Sequence, residues 1–460
     1  MDEPRPKIQK ELAFPPLRQG ETQPDGAEGS ESSPAKGQTE SPASKDPLIE
    51  EVCEKENLKQ ALYQVRSNKG SPGVDGMTVE DLGNHLKTNW PTYRTQLLQG
   101  TYKPCPVKRV EIPKPEGGSR KLGIPTVLDR FVQQAVLQVL QKRWDKTFSE
   151  HSYGFRPKRS AHQAVAQAQT YIAEGYGWVV DLDLEKFFDR VNHDVLMARV
   201  AKRESDKRLL KLLRAFLNAG VMADGLLSPT EEGTPQGGPL SPLLSNLLLD
   251  DLDRELERRG LRFVRYADDC NIYVRSERAG QRVMESVKSF LSQRLRLKVN
   301  DAKSAVARPD TRKFLGFSFT AGREPKRRIA PKALDRVKDR IRELTRRVRG
   351  ISLQAMVDSL GSYLRGWRAY FSYCQTPSVL EELDQWLRRR LRAAIWKQWK
   401  QGRTRYERLC ERGVKPRAAA QTAASSHGAW RLSLSPALKL AYRNADFLAM
   451  GLPTLAPKRA

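Results

Sequence analysis

Two short apolar runs flank a pair of adjacent acids in the second half of the chain. Residues 263–266 and 270–274 are rich in aromatic and β-branched side chains, and Asp268 and Asp269 lie between them. Runs of this length and composition predict two strands, so the acids should project from a tight β-turn. Strand alternation further predicts that Asp268 and Asp269 point to opposite faces.

A second apolar run ends in acids earlier in the chain. Residues 178–182 predict a buried strand, and Asp181 and Asp183 fall on the same face of it. Either carboxylate could meet Asp268 across a sheet, and periodicity does not choose between them. Taken alone, the segment from Asp181 to Asp189 could also be an acidic strand end that faces solvent.

The C-terminal third follows a helical period instead. Residues 333–349 predict an amphipathic helix with one apolar stripe, formed by Leu334, Val337, Ile341, Leu344 and Val348. A second helical stripe runs through Leu383, Trp386, Leu387, Leu391, Ile395 and Trp399. Such stripes are most simply the core of a helical bundle. Residues 15–47 show no apolar period and are dominated by Pro, Gly, Ser, Glu and Gln, which predicts a disordered leader.

Adjacent acids at strand ends suit metal-assisted chemistry. Two carboxylates held about 4 Å apart repel by roughly 4 kcal/mol at an effective dielectric near 20, and a divalent cation offsets that cost. Acids from two strands can hold the paired ions of two-metal phosphoryl transfer, which serves polymerisation or nucleolysis. The competing interpretation is an ordinary solvated hairpin turn, in which Asp-Asp pairs also occur.

Composition points to a polyanionic partner. The 460 residues carry a formal net charge of +27, with a pI near 10.0. Residues 323–460 hold 31 Lys and Arg against 11 Asp and Glu, an excess of 20, so most of the positive charge lies downstream of the acids. A run of cations is usually a solvated face, and the case for nucleic-acid binding is collective rather than carried by any single cation.

The order of motifs resembles the reverse transcriptase family, and within it the group II intron-encoded reverse transcriptases and maturases. The resemblance covers roughly residues 55–455. Around the acidic blocks at 181–189 and 266–269 it is carried by Gly-Ser-Pro-Gly-Val-Asp-Gly at 70–76, Ile-Pro-Lys-Pro at 112–115, Arg-Lys-Leu-Gly-Ile-Pro at 120–125, Ser-Tyr-Gly-Phe-Arg-Pro at 152–157, Thr-Pro-Gln-Gly-Gly-Pro-Leu-Ser-Pro at 234–242, Leu-Lys-Val-Asn-Asp-Ala-Lys-Ser at 297–304 and Phe-Leu-Gly-Phe at 314–317.

The resemblance implies which acids hold metal. The family's metal-binding acid stands five residues before an aromatic, which matches Asp183 and makes Asp181 a supporting residue. Asp183, Asp268 and the Leu184 backbone carbonyl would then bind two Mg²⁺ ions, with Mn²⁺ as an alternative ion. Asp269 would lie near the primer terminus and complete the catalytic set.

The same resemblance implies a nucleotide site. Lys114 and Arg120, in a predicted fingers hairpin, would grip the incoming triphosphate, and Gln236 would hydrogen-bond near the sugar. Phe188 matches the aromatic gate that excludes a ribose 2′-hydroxyl, although core packing is its alternative. Lys303 matches a position near the metal site, and residues 314–317 match the hairpin that holds the primer.

These matches imply an α+β multi-domain fold of the right-hand polymerase type, with an antiparallel palm sheet backed by helices. We expect a disordered leader at 1–46, an N-terminal extension at 47–101, fingers and palm at 102–322 and a helical thumb, or maturase X domain, at 323–400. Residues 401–460 should form a basic DNA-binding or thumb-extending segment. Interleaved Arg and aromatic residues at 363–371 and 386–392 resemble the thumb of group II intron proteins.

The five cysteines are scattered and form no Cys-x-x-Cys pair, so neither a disulfide framework nor a zinc site is expected. The paired cysteines of the HNH endonuclease that many group II intron proteins append are also missing. The chain therefore resembles the endonuclease-lacking class associated with group IIC introns. No stretch is long enough to span a membrane, and we expect a cytoplasmic bacterial protein that associates with the nucleoid when on DNA.

Three functional hypotheses fit these residues. The first is an RNA-directed DNA polymerase that binds its intron RNA, an RNA template with a DNA or RNA primer, target DNA and dNTPs. The second is a non-catalytic RNA-binding splicing factor, which the intact acids and cations disfavour. The third is a freestanding or domesticated reverse transcriptase of repair or defence. The sequence leaves the intron partner, the oligomeric state, fidelity and the use of DNA templates open.

Overall fold

The computed structural model describes residues 48–113, 119–223, 226–228, 232–233, 237–346 and 350–457. The expected leader at 1–46 lies outside these residues. None of the described helices is long and apolar enough to cross a lipid bilayer.

Helices and strands alternate through the first two thirds of the described chain, and helices alone make up most of the last third. The helices are α1 (Leu48–Val52), α2 (Lys55–Ser67), α3 (Leu82–Gln99), α4 (Val127–Trp144), α5 (Ala161–Ala173), α6 (His193–Arg203), α7 (Lys207–Leu217), α8 (Ser241–Arg258), α9 (Glu277–Phe290), α10 (Pro331–Leu344), α11 (Leu353–Phe371), α12 (Ser378–Gln398), α13 (Gly402–Glu411), α14 (Pro416–Ala423), α15 (Ala429–Leu432), α16 (Pro436–Ala441) and α17 (Asn444–Ala449). The strands are β1 (Val107–Pro113), β2 (Ser119–Ile124), β3 (Trp178–Leu182), β4 (Val221–Ala223), β5 (Leu226–Ser228), β6 (Arg262–Tyr266), β7 (Asp269–Val274), β8 (Ala305–Ala307), β9 (Phe317–Phe319) and β10 (Arg327–Ile329).

A central four-stranded sheet carries the acidic segments. Its strand order is β6-β7-β3-β8, and every neighbouring pair is antiparallel. In this register Leu182 lies opposite Cys270, which brings the acidic end of β3 level with the start of β7. The two strands predicted around Asp268 and the strand predicted at 178–182 are therefore all present.

Helices cover both faces of the central sheet. Strand alternation sends Val179 to one face, where it packs with residues of α5, and Val180 to the other face, where α9 lies. Gly280 of α9 has no room for a side chain, because a Cβ there would lie 2.4 Å from Val306. The predicted α+β fold, with an antiparallel sheet backed by helices, is confirmed.

A second sheet is formed by two strands that precede the central sheet in the chain and two that follow β3. β1 and β2 form an antiparallel hairpin from Lys108 opposite Ile124 to Pro113 opposite Ser119, at the place where the sequence predicts a fingers hairpin. β1 also pairs in parallel with β4, which is followed by β5. Helices α1 to α4 share one hydrophobic core with the helices and strands around the central sheet.

The C-terminal helices form a second core of their own. Its buried residues run from Ile329 to Ala456, so α10 to α12 and the short helices after residue 400 pack together. The carboxylate of Asp384 in α12 is buried and accepts backbone hydrogen bonds from Leu455 and Ala456 at 3.0–3.1 Å. The last described residues are thereby fastened to α12.

Both predicted thumb helices are present with adjusted ends. α10 ends at Leu344 rather than continuing to Arg349, because Thr345 leaves the helical conformation and its hydroxyl donates back to the Ile341 carbonyl at 2.5 Å. Arg390 of α12 donates to the same hydroxyl at 2.7 Å. Val348 lies outside the described residues. The second stripe lies in α12, and Trp399 follows its last residue.

Candidate active site

A two-residue turn presents the acids of the second motif. Tyr266 pairs with Asp269 at the ends of β6 and β7, so Ala267 and Asp268 form the turn between them. Ala267 has a φ of +58°, as two-residue hairpin turns require. The predicted tight turn is therefore observed. Asp268 is a turn residue, however, so strand alternation sets the direction of Asp269 only.

A buried arginine holds this turn from below. Arg265 is completely buried, and its guanidinium forms an ion pair with the equally buried Asp253 at 2.6 Å. The same guanidinium donates to the Ala267 carbonyl at 2.9 Å, to Asn246 Oδ1 at 3.0 Å and to Ser152 Oγ at 2.8 Å. These bonds tie the Asp268 turn to α8 and to the segment after residue 151.

The other acidic segment has one paired carboxylate and one at the strand end. Asp181 lies within β3 and forms an ion pair with Arg312, whose Nε is 2.8 Å from Asp181 Oδ2. With its amide oriented to satisfy its neighbours, Asn271 donates to Asp181 Oδ1 at 3.0 Å. Asp183 lies one residue beyond the strand. Its backbone N–H donates to Ser304 Oγ at 3.0 Å and its carbonyl accepts from the Asn300 N–H at 2.8 Å.

The carboxylates around the turn repel one another. Desolvation, and repulsion from Asp268, Asp181 and Asp183, raise the pKa of Asp269 to about 6. The Asp269 side chain is also exposed to solvent, which weakens the effect of desolvation on its pKa and leaves the repulsion by the neighbouring carboxylates. Burial likewise raises the pKa of Asp181, against the lowering effect of Arg312. Negative charge is thus concentrated where β3 and β7 meet.

The oxygen donors at this point fit Mg²⁺, which prefers hard oxygen ligands and is often held by one or two carboxylates, with waters and substrate phosphates completing its shell. Asp183 and Asp268 supply such carboxylates. The pairing of Leu184 with Val299 uses the Asp183 carbonyl and the Glu185 N–H, which leaves the Leu184 carbonyl out of that bridge. Within the described ranges, no three His, Cys, Asp or Glu residues form a ready-made metal cluster. A magnesium site held by two carboxylates, with water and substrate phosphates as its other ligands, does not need such a cluster.

Lys303 lies beside Asp183, and Phe188 follows that acid by five residues in the chain. The Lys303 ammonium is 3.6 Å from Asp183 Oδ2, although it is largely exposed. Phe187 is 3% exposed and belongs to the core, whereas Phe188 is only partly buried and packs edge-to-face against it at 5.2 Å. Of the two adjacent aromatic side chains, Phe188 is therefore the one that remains partly exposed.

Three of the predicted nucleotide-binding residues cannot be located fully. Lys114 and Gln236 lie outside the described residues, and for Arg120 only the backbone, paired with Ile112, is described. Gly238, two residues after Gln236, packs against α4: a Cβ there would lie 2.5 Å from Gln133 Oε1.

The predicted primer-holding segment is a second tight hairpin. Phe314 and Phe317 exchange backbone hydrogen bonds at 2.8 and 3.0 Å around Leu315 and Gly316, both of which have positive φ. Tyr370 of α11 donates to the Leu315 carbonyl at 2.7 Å. A thumb helix thereby holds this hairpin in place.

Several supporting residues were not recognised from the sequence. Arg312, Ser304 and Arg265 hold the acidic segments, yet each lies more than 110 residues from a partner it contacts. For Arg265 a signal was present, because it is the charged residue inside the run 263–266. Ser304 falls in the motif at 297–304, but nothing in that motif marks it as a partner of Asp183, and no local pattern marks Arg312.

Two family models match the chain. Residues 112–319 match "Reverse transcriptase (RNA-dependent DNA polymerase)" and residues 334–413 match "Group II intron, maturase-specific domain". The chain belongs to the group II intron reverse transcriptase and maturase family. Its two matched domains are those of an RNA-directed DNA polymerase that supports intron splicing and mobility. The turn bearing Asp268 and the strand end bearing Asp183 both lie within the reverse transcriptase match.

Curated relatives support this family. Protein YkfC of Escherichia coli K12 is 35% identical over 299 residues, which cover 56% of this chain and 78% of the relative. Group II intron-encoded protein LtrA of Lactococcus lactis subsp. cremoris is 34% identical over 213 residues, covering 45% of this chain and 34% of LtrA. A putative COX1/OXI3 intron 1 protein of Saccharomyces cerevisiae is 30% identical over 46% of this chain and 27% of its own length. The chain thus spans about a third or less of these two intron proteins.

Solved structures align only in part. A partial Cas6-RT-Cas1–Cas2 complex shares 25% identity over 54% of this chain and 43% of its own, with a TM-score of 0.36. Telomerase from Candida albicans, in complex with a TWJ fragment of telomeric RNA, shares 14% identity over 64% of this chain and 59% of the telomerase chain, with a TM-score of 0.38. The family assignment rests on the family models and the curated relatives.

Proposed function

We propose that this protein is an RNA-directed DNA polymerase that extends a primer at the site formed by Asp183, Asp268 and Asp269. The observation that carries the proposal is the antiparallel pairing of β3 with β7, which brings the acids of two distant motifs to one end of one sheet. Repulsion from Asp268, Asp181 and Asp183, which contributes to the raised pKa of Asp269, supports the proposal that these acids act together. Paired acids of this kind bind the divalent ions of nucleotidyl transfer.

In this proposal Asp183, Asp268 and the Leu184 carbonyl hold two Mg²⁺ ions, or Mn²⁺ as an alternative. The bound ions would supply Lewis-acid stabilisation of the attacking 3′-hydroxyl and of the pyrophosphate leaving group. Asp269 stands beside this pair and faces the primer terminus. The Lys303 ammonium, 3.6 Å from Asp183, forms an ion pair with that carboxylate in the absence of substrate. In this proposal it turns towards the incoming phosphates when the nucleotide binds.

The remaining substrate contacts follow from the family match. We assign Lys114 and Arg120 to the triphosphate, Gln236 to the sugar and Phe188 to the exclusion of a 2′-hydroxyl. The partly exposed face of Phe188, in contrast to the buried Phe187, supports the last assignment.

The helical C-terminal region is proposed to brace the template–primer duplex and to bind intron RNA. Its charge excess of 20 in residues 323–460 supports a polyanionic partner. We further propose that residues 401–457 extend the thumb, because they share one core with α10 to α12. Fingers and palm at 102–322 and an N-terminal extension at 47–101 complete the proposed organisation.

Primer extension on an RNA template tests the proposal. The purified protein, with Mg²⁺ and dNTPs, should extend an annealed DNA primer, and Asp268→Ala should lower the rate at least about 1000-fold because a metal ligand is lost. The matched control is Asp335→Asn, an exposed acid of α10, which should leave the rate unchanged. RNA affinity should survive in both variants. Failure of the parent protein to extend any primer, with RNA binding intact, would contradict the proposal and favour a splicing factor.

A further inference from the structure

An exposed aromatic ring lies beside the turn that carries the catalytic acids. Phe155 is 50% exposed, which makes it one of the more exposed large apolar side chains among the described residues. Its ring centroid is 6.3 Å from that of Tyr266, the last residue of β6 before Ala267 and Asp268. Nothing in the proposed chemistry uses this ring.

The backbone at Phe155 is in an unfavourable conformation. Its φ is +57°, a region that bulky side chains rarely adopt, and Lys158 in the same loop has a φ of +60°. Strain of this kind persists only where the surroundings enforce it, and it is concentrated at functional sites. The loop from Gly154 to Ser160 therefore holds an arrangement that a relaxed chain would avoid.

Both neighbours of Phe155 are fixed. Gly154 lies against the acidic turn so closely that a Cβ would be 2.3 Å from the Ala267 nitrogen, and its carbonyl accepts from Asn246 Nδ2 at 2.8 Å. Arg156 is buried and bonds to Asp145 and to the carbonyls of Ser149 and Ser152 at 2.6–2.9 Å. With its flanks held inside, Phe155 is left pointing outward beside Tyr266.

The chemistry of the loop fits a nucleic-acid strand. Phe155 offers an aromatic face, and the exposed Lys158 adds a cation three residues later. Bases stack on aromatic rings with little sequence preference, while cations neutralise phosphates. Because Asp269 of the adjacent turn is assigned to the primer terminus, the strand that this loop would meet is the one being extended.

We propose that Phe155, supported by Tyr266, contacts a nucleotide of the primer strand close to its 3′ end, with Lys158 at a neighbouring phosphate. The inference rests on the proposed polymerase function, because it places the primer at the Asp268 turn. Phe155 would act as a binding residue that fixes the primer end relative to the acids. It would therefore affect primer–template affinity and leave the KM for dNTPs unchanged.

The experiment measures binding without dNTPs in an Asp268→Ala background, so that no primer is extended during the assay. A primer–template carries 2-aminopurine near the primer 3′ end or, in a second duplex, at the opposite template position. Phe155→Asn removes the ring but suits a positive φ, and Phe155→Tyr keeps the ring. Tyr63→Ala is the matched control, because Tyr63 is a 73% exposed aromatic on α2.

Phe155→Asn should raise the dissociation constant about 10- to 100-fold and remove the fluorescence change of the primer probe. Phe155→Tyr and Tyr63→Ala should each stay within about two-fold of the background protein. Equal affinity of Phe155→Asn and the background protein would overturn the inference, and so would a fluorescence change confined to the template probe. Absence of primer extension by the parent would instead refute the polymerase proposal, since the binding assay does not depend on synthesis.

Discussion

Asp269 carries a charge that the fold itself disfavours. Its pKa is raised to about 6 from an ordinary value of 3.8, chiefly by desolvation and by three neighbouring carboxylates. A carboxyl whose pKa is higher in the folded state stabilises the fold when protonated, at pH below about 4. That stabilisation is lost as the pH rises through 6. At neutral pH and without metal, the ionised side chain therefore destabilises the protein.

Asp269→Asn should stabilise the metal-free protein at pH 7.5 but not at pH 4.5. A full shift of this size would be worth about 3 kcal/mol, and solvent screening of the exposed side chain reduces the expected gain to about 1 kcal/mol. Thermal unfolding in EDTA should show a rise in Tm of about 2 °C at pH 7.5. The exposed acid variant Asp335→Asn should show no such pH-dependent difference. A gain in Tm that is equal at both pH values would rule out repulsion as the cause.

Phe188 should decide which sugar the site accepts. Phe188→Ala removes the ring assigned to the gate, so incorporation of ribonucleotides relative to deoxynucleotides should rise about 10- to 100-fold. Single-nucleotide extension with each substrate gives this ratio. Phe187→Leu is the control at the neighbouring position: it should lower Tm through lost core packing and leave the ratio unchanged. Unaltered selectivity in Phe188→Ala would remove it as the gate.

At the scale of elements, the β6–β7 hairpin depends on the buried pair of Arg265 and Asp253. Arg265→Met leaves the Asp253 carboxylate buried and unpaired, which should cost about 3–5 kcal/mol in urea unfolding. Adding Asp253→Leu removes that charge and should recover much of the stability.

Activity should not recover with stability in this double variant. The Ala267 carbonyl still lacks its donor, so the Asp268 turn is less well positioned, and we expect kcat to fall more than KM for primer–template rises. Full recovery of both stability and kcat would show that Arg265 serves the core alone. The ion pair of Asp250 with Arg203, on the same face of α8 but away from the turn, serves as the comparison: breaking it should affect stability and leave kcat unchanged.

At the scale of the whole molecule, the described chain has three hydrophobic clusters. One packs on one face of the central sheet and includes the N-terminal helices, the second runs from Ile329 to Ala456, and the third lies on the opposite face of the sheet. A cluster of aromatic residues joins α5 and β9 to α11, with His162 stacked on Tyr373 at 4.5 Å. The C-terminal helices are therefore held against the part that carries the acids.

The excess charge of the C-terminal region predicts strongly salt-dependent RNA binding. If about six to ten phosphates are contacted, affinity should fall by roughly 10³- to 10⁵-fold between 50 and 200 mM salt. Arg365→Gln with Arg368→Gln removes two exposed cations of α11 and should reduce the slope of log Kd against log salt by about 2.

The control for this measurement lies at the other end of the chain. Lys55→Gln with Arg66→Gln removes two exposed cations of α2 and the same net charge. An equal change of slope in both double variants would mean that total charge, rather than the C-terminal surface, sets the affinity.

Much of the fold could be predicted because its signals are local. The β6–β7 turn, the strand before Asp183 and the stripes of α10 and α12 are visible as periods of two or of about 3.6 residues. The end of α10 was placed too late, because a hydroxyl contact from Arg390, 45 residues away, stabilises Thr345 outside the helix.

Periodicity, residue type and net charge are properties of the chain alone, and they suffice to predict the acids at strand ends, the amphipathic helices and a polyanionic partner. The pairing of Asp181 with Arg312, the burial of Phe187 rather than Phe188 and the anchoring of the Asp268 turn by Arg265 are visible only in the folded protein. The contacts of Asp181 and Arg265 join residues as far as 131 and 113 positions apart, and no local pattern encodes a partner at that distance.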